Sequence, residues 1–324
     1  MILNIIYLIG GLVFILVGAN MLTDGSSAIA KRWGVSDLVI GLTVVAFGTS
    51  APELVISIVS SINSSAEMAI GNVVGSNLFN ILVIVGATAI VKPIVVDRNI
   101  LTMDIPLVFL SALALLAIGS STIVDGTPTA IVTRVDGILL LLFFAIFMRY
   151  TFSRATGASP DELPEQEEVK EMPLWKSLAW VIIGLAGLIA GGELFVDGAS
   201  GIASGLGVSD AIIGLTIVAA GTSLPELATS ITAAVKGKPG MAIGNVIGSN
   251  IFNIFLVLGC AATIRPLPMG NIGEFDLIAL TVACFLFWFF GRFFKDKTFT
   301  RAEGALMLAC YIAYISKLVI ETIS

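Results

Sequence analysis

Apolar residues run along this chain in long blocks, with no alternation of period two. Ten such blocks, at 2–22, 37–62, 69–90, 102–120, 135–150, 174–196, 209–234, 242–262, 275–291 and 302–320, are separated by short polar breaks. Most have roughly the 17–25 residues that a helix rising 1.5 Å per residue needs to cross a hydrocarbon layer about 30 Å thick. The pattern predicts ten transmembrane helices. The fifth, "VDGILLLLFFAIFMRY", is the shortest. The first has neither a basic flank before it nor a small-residue cleavage site after it, so it is expected to be a permanent span and not a removable signal peptide.

Composition agrees with that pattern. Hydrophobic residues make up 57% of the chain and charged residues 12%, against about a quarter charged in soluble domains. There is no histidine, which excludes His-based general-base catalysis and His-ligated zinc or haem. Cys260, Cys284 and Cys310 lie scattered in apolar blocks without C-x-x-C spacing, so neither a disulfide scaffold nor a metal cluster is expected, and no cofactor. If the N-terminus is placed outside, 14 of the 17 Lys and Arg residues fall on one side of the ten spans, and only Arg134, Arg265 and Lys317 on the other. The positive-inside tendency makes the basic side cytoplasmic and puts both termini outside.

The chain also repeats itself. Residues 18–53 align without gaps to 191–226, an offset of 173, with 21 of 36 positions identical, and "MAIGNVVGSNLFNI" (68–81) matches "MAIGNVIGSNIFNI" (241–254) at the same offset. Each half carries five blocks. Five is odd, so the second copy starts from the other side and is inverted, an architecture recurrent in secondary transporters, whose substrate sites lie near the midplane where broken helices of the two halves meet. The expected fold is an all-α polytopic membrane protein of ten transmembrane helices in two inverted five-helix repeats. The first repeat spans 1–150 and the second 174–324. Between them, 151–173 is expected to be a flexible, acidic cytoplasmic linker carrying "SPDELPEQEEVKEMP".

The duplicated segments carry the chemistry. Glu53 and Glu226 sit inside long apolar blocks, where insertion costs an acidic residue about 2.5–3.5 kcal/mol, so each is a functional candidate. Segments 38–57, 69–90, 211–235 and 242–262 contain no Lys or Arg, so protons or bound cations must neutralise the two acids. Thr49 and Ser50 precede Glu53 by four and three residues, close to its helix face, and Thr222 and Ser223 do the same before Glu226. Hydroxyl and carboxylate oxygens are hard ligands suited to Ca²⁺ or Na⁺. Pro52 and Pro225 lack an N–H and clash with the preceding turn, so each helix should break beside its Glu, freeing carbonyls near Ala46 and Ala219. In the second motif, Ser76 with Asn80, and Ser249 with Asn253, are four apart and share a face. We place these four oxygen donors against the Glu segments. The G-x-x-x-G glycines Gly71, Gly75, Gly244 and Gly248 suit close helix contact. Asn72, Asn77, Asn245 and Asn250 could serve either interhelical bonds or broken ends. Asp24 with Asp197, and Asp37 with Asp210, also match at the offset but stay outside the expected ion site, the "SD" pairs being suited to capping.

The doubled "GTS-x-PE" and "GN-V-x-GSN-x-FN" motifs resemble the alpha repeats of the calcium/cation antiporter superfamily, in particular its sodium/calcium exchangers, over nearly the whole chain. The resemblance implies Na⁺-driven exchange of Ca²⁺ by alternating access. It places the ion-binding pattern on Thr49, Ser50, Glu53, Ser76 and Asn80 and on Thr222, Ser223, Glu226, Ser249 and Asn253, completed by backbone carbonyls near Ala46 and Ala219. Many members of that superfamily carry Asp where this chain has Asn80 or Asn253. The departure weighs against K⁺ co-transport and leaves the coupling ion, Na⁺ or H⁺, open. An intramembrane enzyme using the two acids, or a cation channel, are the readings from other classes; the flanking hydroxyls and amides and the inverted repeat suit ion coordination better. The expected partners are inorganic cations and the lipid bilayer, and the expected setting is a prokaryotic plasma membrane.

Overall fold

The computed structural model describes residues 2–63, 66–124, 126, 128–157, 172–207, 217, 219–270, 272–293 and 297–323. In chain order the membrane helices are α1 (Ile2–Trp33), α2 (a first arm Asp37–Thr49 and a second arm Ala51–Ile62), α3 (Glu67–Val91), α4 (Ile100–Gly119), α5 (Arg134–Gly157), α6 (Leu174–Gly205), α7 (Ala219–Gly221, then Leu224–Val235), α8 (Pro239–Ile264), α9 (Glu274–Phe293) and α10 (Arg301–Ile323). Eight of these are single helices long and apolar enough to cross a membrane, and α2, bent by 46° between its arms, makes a ninth. Most of the expected start of the seventh span, 208–216 and 218, lies outside the described residues, as does 158–171. The fifth helix runs on to Gly157, seven residues into the segment expected to be a linker.

Two short strand pairs make the inversion visible. Strand β1 (Ile94–Val95), after α3, pairs antiparallel with β4 (Thr298–Phe299), before α10; β2 (Ile131–Val132), before α5, pairs with β3 (Leu267–Pro268), after α8. Equivalent strands of the two repeats therefore lie on opposite faces, and each pair joins one repeat to the other. Among the described residues the fold is all-α apart from these pairs, and its helices form two inverted repeats of five. We call the face bearing β1 and β4, where the Lys- and Arg-rich connections lie, the basic face.

The fifth helix of each repeat packs on the third helix of the other. Arg301 Nε on α10 donates to the Ile90 carbonyl at the end of α3 (3.0 Å), and an Arg134 guanidinium nitrogen on α5 to the Ile264 carbonyl ending α8 (3.3 Å). These are the carbonyls that a helix C-terminus leaves without partners. In the middle, α3 and α8 are 78% buried over their most apolar windows, whereas α1 and α10 are 22% and 17% buried and turn their Ile, Leu and Val side chains outward. The outward faces suit lipid; the central pair forms the core.

Two glycine crossings bring backbones close. On α1, Gly11 and Gly18 face Gly191 and Gly184 of α6; a Cβ on Gly18 would stand 2.7 Å from the Gly184 carbonyl oxygen. On α8, Gly244 and Gly248 lie against the first arm of α2, at Leu38, Leu42 and Ala46, as the G-x-x-x-G spacing predicts. For Gly71 and Gly75 the equivalent neighbour, the start of the seventh span, lies outside the described residues. The expected cap is present too: Ser36 Oγ accepts from the Val39 N–H at 3.3 Å.

Candidate functional site

Both helices that carry a buried Glu break at the same residue of the motif. Ser50 (φ −86°, ψ 7°) ends the first arm of α2, and Ser223 (φ −93°, ψ 6°) precedes the second arm of α7. Pro52 and Pro225 then occupy the first turn of the new arm, where a missing N–H costs nothing. Glu53 and Glu226 fall in that first turn. A helix N-terminus carries unpaired N–H groups and a partial positive charge, so the break itself helps to hold a carboxylate in an apolar slab.

The two repeats interleave at this point. Glu53 is faced by the hydroxyls of Thr222 and Ser76, and Glu226 by those of Ser50 and Thr49. Ser50 Oγ donates to Glu226 Oε1 at 3.1 Å, across the repeat boundary. The spacing on the helix places Thr49 and Ser50 beside Glu53. The structure corrects this: the 46° bend turns those hydroxyls toward the carboxylate of the other repeat. Thr49 Oγ1 lies 3.1 Å from the Val45 carbonyl one turn back and 3.2 Å from Asn245 Oδ1. Its one proton goes to only one of these oxygens at a time, and either way its lone pairs stay free for a cation.

Ala46 behaves differently from expectation. Its carbonyl accepts the Ser50 N–H at 3.0 Å, so the break does not strip it of its donor. The carbonyl that loses its donor is that of Gly48, four residues before Pro52, which has no N–H to give. Ala46 keeps only its second lone pair for a ligand. Ala219 opens the short helical turn before the α7 break.

The second motif lies on α3 and α8. Both helices widen into π-helical turns at the motif's end, Phe79–Ile84 and Phe252–Leu258, which include Asn80 and Asn253. Such turns recur at functional sites, and nothing in the hydrophobic pattern announced them. Asn253 Nδ2 donates to Asn77 Oδ1 (3.1 Å), and Asn77 Nδ2 to the Asn250 carbonyl (3.3 Å), tying α3 to α8. Three of the four asparagines left undecided from sequence, Asn72, Asn77 and Asn245, thus make interhelical bonds, while Asn250 Nδ2 bonds back to the Val246 carbonyl of its own helix (2.8 Å). Asn72 Nδ2 bonds the Glu53 carbonyl (3.3 Å) and Ser57 Oγ (3.1 Å); Asn245 Nδ2 bonds the Glu226 carbonyl (3.3 Å) and Ser230 Oγ (3.0 Å). Their signal in the sequence was the conserved offset of 173, which Ser57 and Ser230 share.

The chemistry of the ensemble is one-sided. Thr49, Ser50, Glu53, Ser76, Asn80, Ser223, Glu226, Ser249 and Asn253 are all buried, Glu53 completely. Among the described residues, seven oxygens of this group have no hydrogen-bond partner: both of Glu53, Oε2 of Glu226, the hydroxyls of Ser223 and Ser249, and the amide oxygens of Asn80 and Asn253. Buried polar atoms without partners are expensive. Two carboxylates near enough to act on each other, with neutral oxygens around them and no Lys or Arg in either motif, suit hard cations. Beside the site lies a cavity of about 320 Å³, walled by Pro52, Ile56, Val196 and Thr222 and by the exposed carboxylates Glu193 and Asp197.

Inverted repeats that meet through broken helices at a buried, oxygen-rich and acidic centre define a secondary transporter of cations. Residues 3–153 and 176–319 match the sodium/calcium exchanger protein family, and the chain belongs to that family. It is an antiporter, not an enzyme. Among its relatives, the sodium/calcium exchanger MaX1 of Methanosarcina acetivorans is 32% identical, covering 96% of this chain and 97% of its own. An uncharacterized membrane protein of Methanocaldococcus jannaschii, MJ0091, is 38% identical over 98% and 99%. The solved structure of the sodium-calcium exchanger NCX_Mj soaked with zero Na⁺ and Ca²⁺ superposes with a TM-score of 0.82 at 36% identity, over 98% of this chain and 99% of that one.

Proposed function

We propose that this antiporter exchanges Na⁺ for Ca²⁺ by alternating access, with Glu53 and Glu226 as the two charged arms of one cation clamp. The observation that carries the proposal is the set of seven buried, unpartnered oxygens, three of them on the two carboxylates and four on the neutral side chains of the set, with no basic residue in the motifs. Ca²⁺ takes six to eight oxygen ligands and balances two carboxylates. Thr49, Ser50, Ser76, Asn80, Thr222, Ser223, Ser249 and Asn253, with the backbone near Ala46 and Ala219, supply the neutral donors. Na⁺ competes for the same oxygens. Two buried carboxylates with no counter-charge are costly, so loaded forms cross and the empty form does not.

The distribution of Lys and Arg supports a cytoplasmic basic face with both termini outside. Helix ends at Gly157 and Leu174 support two repeats joined by an acidic cytoplasmic linker.

Proton-coupled Ca²⁺ exchange is the second reading. It is favoured by Asn80 and Asn253: with only two carboxylates in the clamp, one proton on each replaces one Ca²⁺ at equal charge. Purified protein in proteoliposomes, loaded with Ca²⁺ outside and given a Na⁺ gradient or a pH gradient separately, decides. Sodium-driven Ca²⁺ uptake is expected; uptake driven by the pH gradient alone selects the second reading.

A further inference from the structure

The site has two sides, related by the offset of 173, and they are not in the same condition. Toward the face opposite the basic one, Pro52, Ile56, Val196 and Thr222 border the cavity. Pro225, the equivalent of Pro52 at the break itself, lines the same cavity, but the equivalents of the other three toward the basic face, Thr229, Thr23 and Thr49, are all buried. On the basic side, α1 packs along the second arm of α7; on the other, α6 makes only sparse contact with the second arm of α2. One side of the clamp is packed shut and the other borders a cavity.

An ion pair sits on the shut side. Lys236, which ends the second arm of α7, places Nζ 2.6 Å from Asp24 Oδ1 on α1 and 3.3 Å from the Asn20 carbonyl. It joins the two elements whose contact closes that side. At the equivalent place on the cavity side, the repeat keeps the acid, Asp197, but has Asn63 where Lys236 would be. The acid is duplicated and the cation is not.

We propose that the Asp24–Lys236 pair is a one-sided latch. It holds α1 against α7 and keeps the basic side of the clamp closed, and because position 63 carries no charge the other side has no matching latch. The resting protein is thereby biased toward opening on the face opposite the basic one. The inference rests on the alternating-access proposal for its meaning in transport, but the latch itself is tested without any ion gradient. The Lys236 and Asp24 side chains are 26% and 37% exposed, so the pair sets a bias and does not lock the protein.

Hydrogen–deuterium exchange of the purified full chain in nanodiscs reads each side separately. Asp24→Asn and Lys236→Gln should each speed amide exchange about two- to fivefold at the Trp33 end of α1 and around 230–238. The charge exchange Asp24→Lys with Lys236→Asp should restore the wild-type rate. The most direct variant is Asn63→Lys, which supplies the missing cation opposite Asp197. It should slow exchange in the second arm of α2 and around Asp197 by a similar factor. Unchanged basic-side exchange in both single variants, failure of the charge exchange to restore protection, or no added protection in Asn63→Lys would each overturn the latch. If these shifts occur but Na⁺-driven Ca²⁺ flux is absent in the wild type, the latch stands and the proposed exchange falls.

Discussion

Ser50 and Ser223 stand at equivalent positions, each at the start of an arm that carries the motif Glu. Yet Ser50 donates to Glu226 at 3.1 Å, while Ser223 Oγ is buried with no hydrogen-bond partner and both oxygens of Glu53 are likewise free of one. The same holds a shell further out. Asn245 Oδ1 is within donor reach of the Thr49 hydroxyl, whereas Asn72 has no such contact with Thr222 among the described residues. The two repeats encode one pattern, and the protein realises it differently on its two sides. In a transporter built from inverted copies, that difference is what one conformation is: what the first repeat does now, the second does when the other side opens.

Removing a charge from the clamp should have the largest effect and should erase the difference between repeats. Glu53→Gln and Glu226→Gln keep the shape and lose one of two negative charges facing a divalent ion. Breaking one partner of a buried charge interaction costs about 3–5 kcal/mol, or more than about 100-fold in Ca²⁺ affinity. Both variants should lose coupled Ca²⁺ flux in proteoliposomes to a similar extent. Normal Ca²⁺ exchange by either would remove that residue from the clamp.

A smaller change separates the two arms. Hydrogen bonds to charged groups contribute about 1.5–3 kcal/mol. Ser50→Ala removes one that is made in this conformation, and Ser223→Ala removes an oxygen that has no partner in it. Over a whole cycle both sides open in turn, so alternating access predicts that the two variants weaken steady-state exchange alike, by about tenfold. In the ion-free protein only Ser50→Ala should lower the melting temperature. Equal melting shifts would mean that the hydrogen-bond asymmetry does not reflect the resting state.

Much of this was legible in the sequence for a simple reason: a bilayer leaves few options. Long apolar blocks must be helices, an odd number of spans per repeat forces inversion, and an acid that stays in a slab of lipid must have a purpose. Glu53 and Glu226 could be picked out on those grounds alone. What stayed hidden depended on direction. Helical spacing put Thr49 and Ser50 beside Glu53, because spacing along one helix knows nothing of a 46° bend. The Ala46 carbonyl was expected to be freed and instead holds the Ser50 N–H, because the carbonyl that Pro52 leaves without a donor is that of Gly48, two residues further on. Asp24 was set aside as a motif acid without a task. Its partner Lys236 lies 212 residues away, and no periodicity connects a helix interior to the end of another helix.

The finest test concerns Asn72 and Asn245, the two side chains that hold the arms in place without belonging to the clamp. Each donates to the carbonyl of its Glu and to a hydroxyl one turn later. Asn245 Oδ1 also lies 3.2 Å from the Thr49 hydroxyl, which it shares with the Val45 carbonyl, and Asn245 is fully buried, whereas Asn72 is half-buried. Neutral hydrogen bonds contribute about 0.5–1.5 kcal/mol each, and an orphaned buried partner raises that cost. Asn245→Ala should therefore weaken Ca²⁺ binding to the purified protein about three- to tenfold, and Asn72→Ala by no more than about threefold, as read by calorimetric titration. The order should tighten toward equality in the Asp24→Asn background. If the basic side is no longer held shut, the protein visits the opposite conformation more often, and there Asn72 takes the role that Asn245 has here. An order of sensitivities that ignores the Asp24 substitution would mean that the difference between the two asparagines is fixed by local packing and not by which side of the clamp is closed.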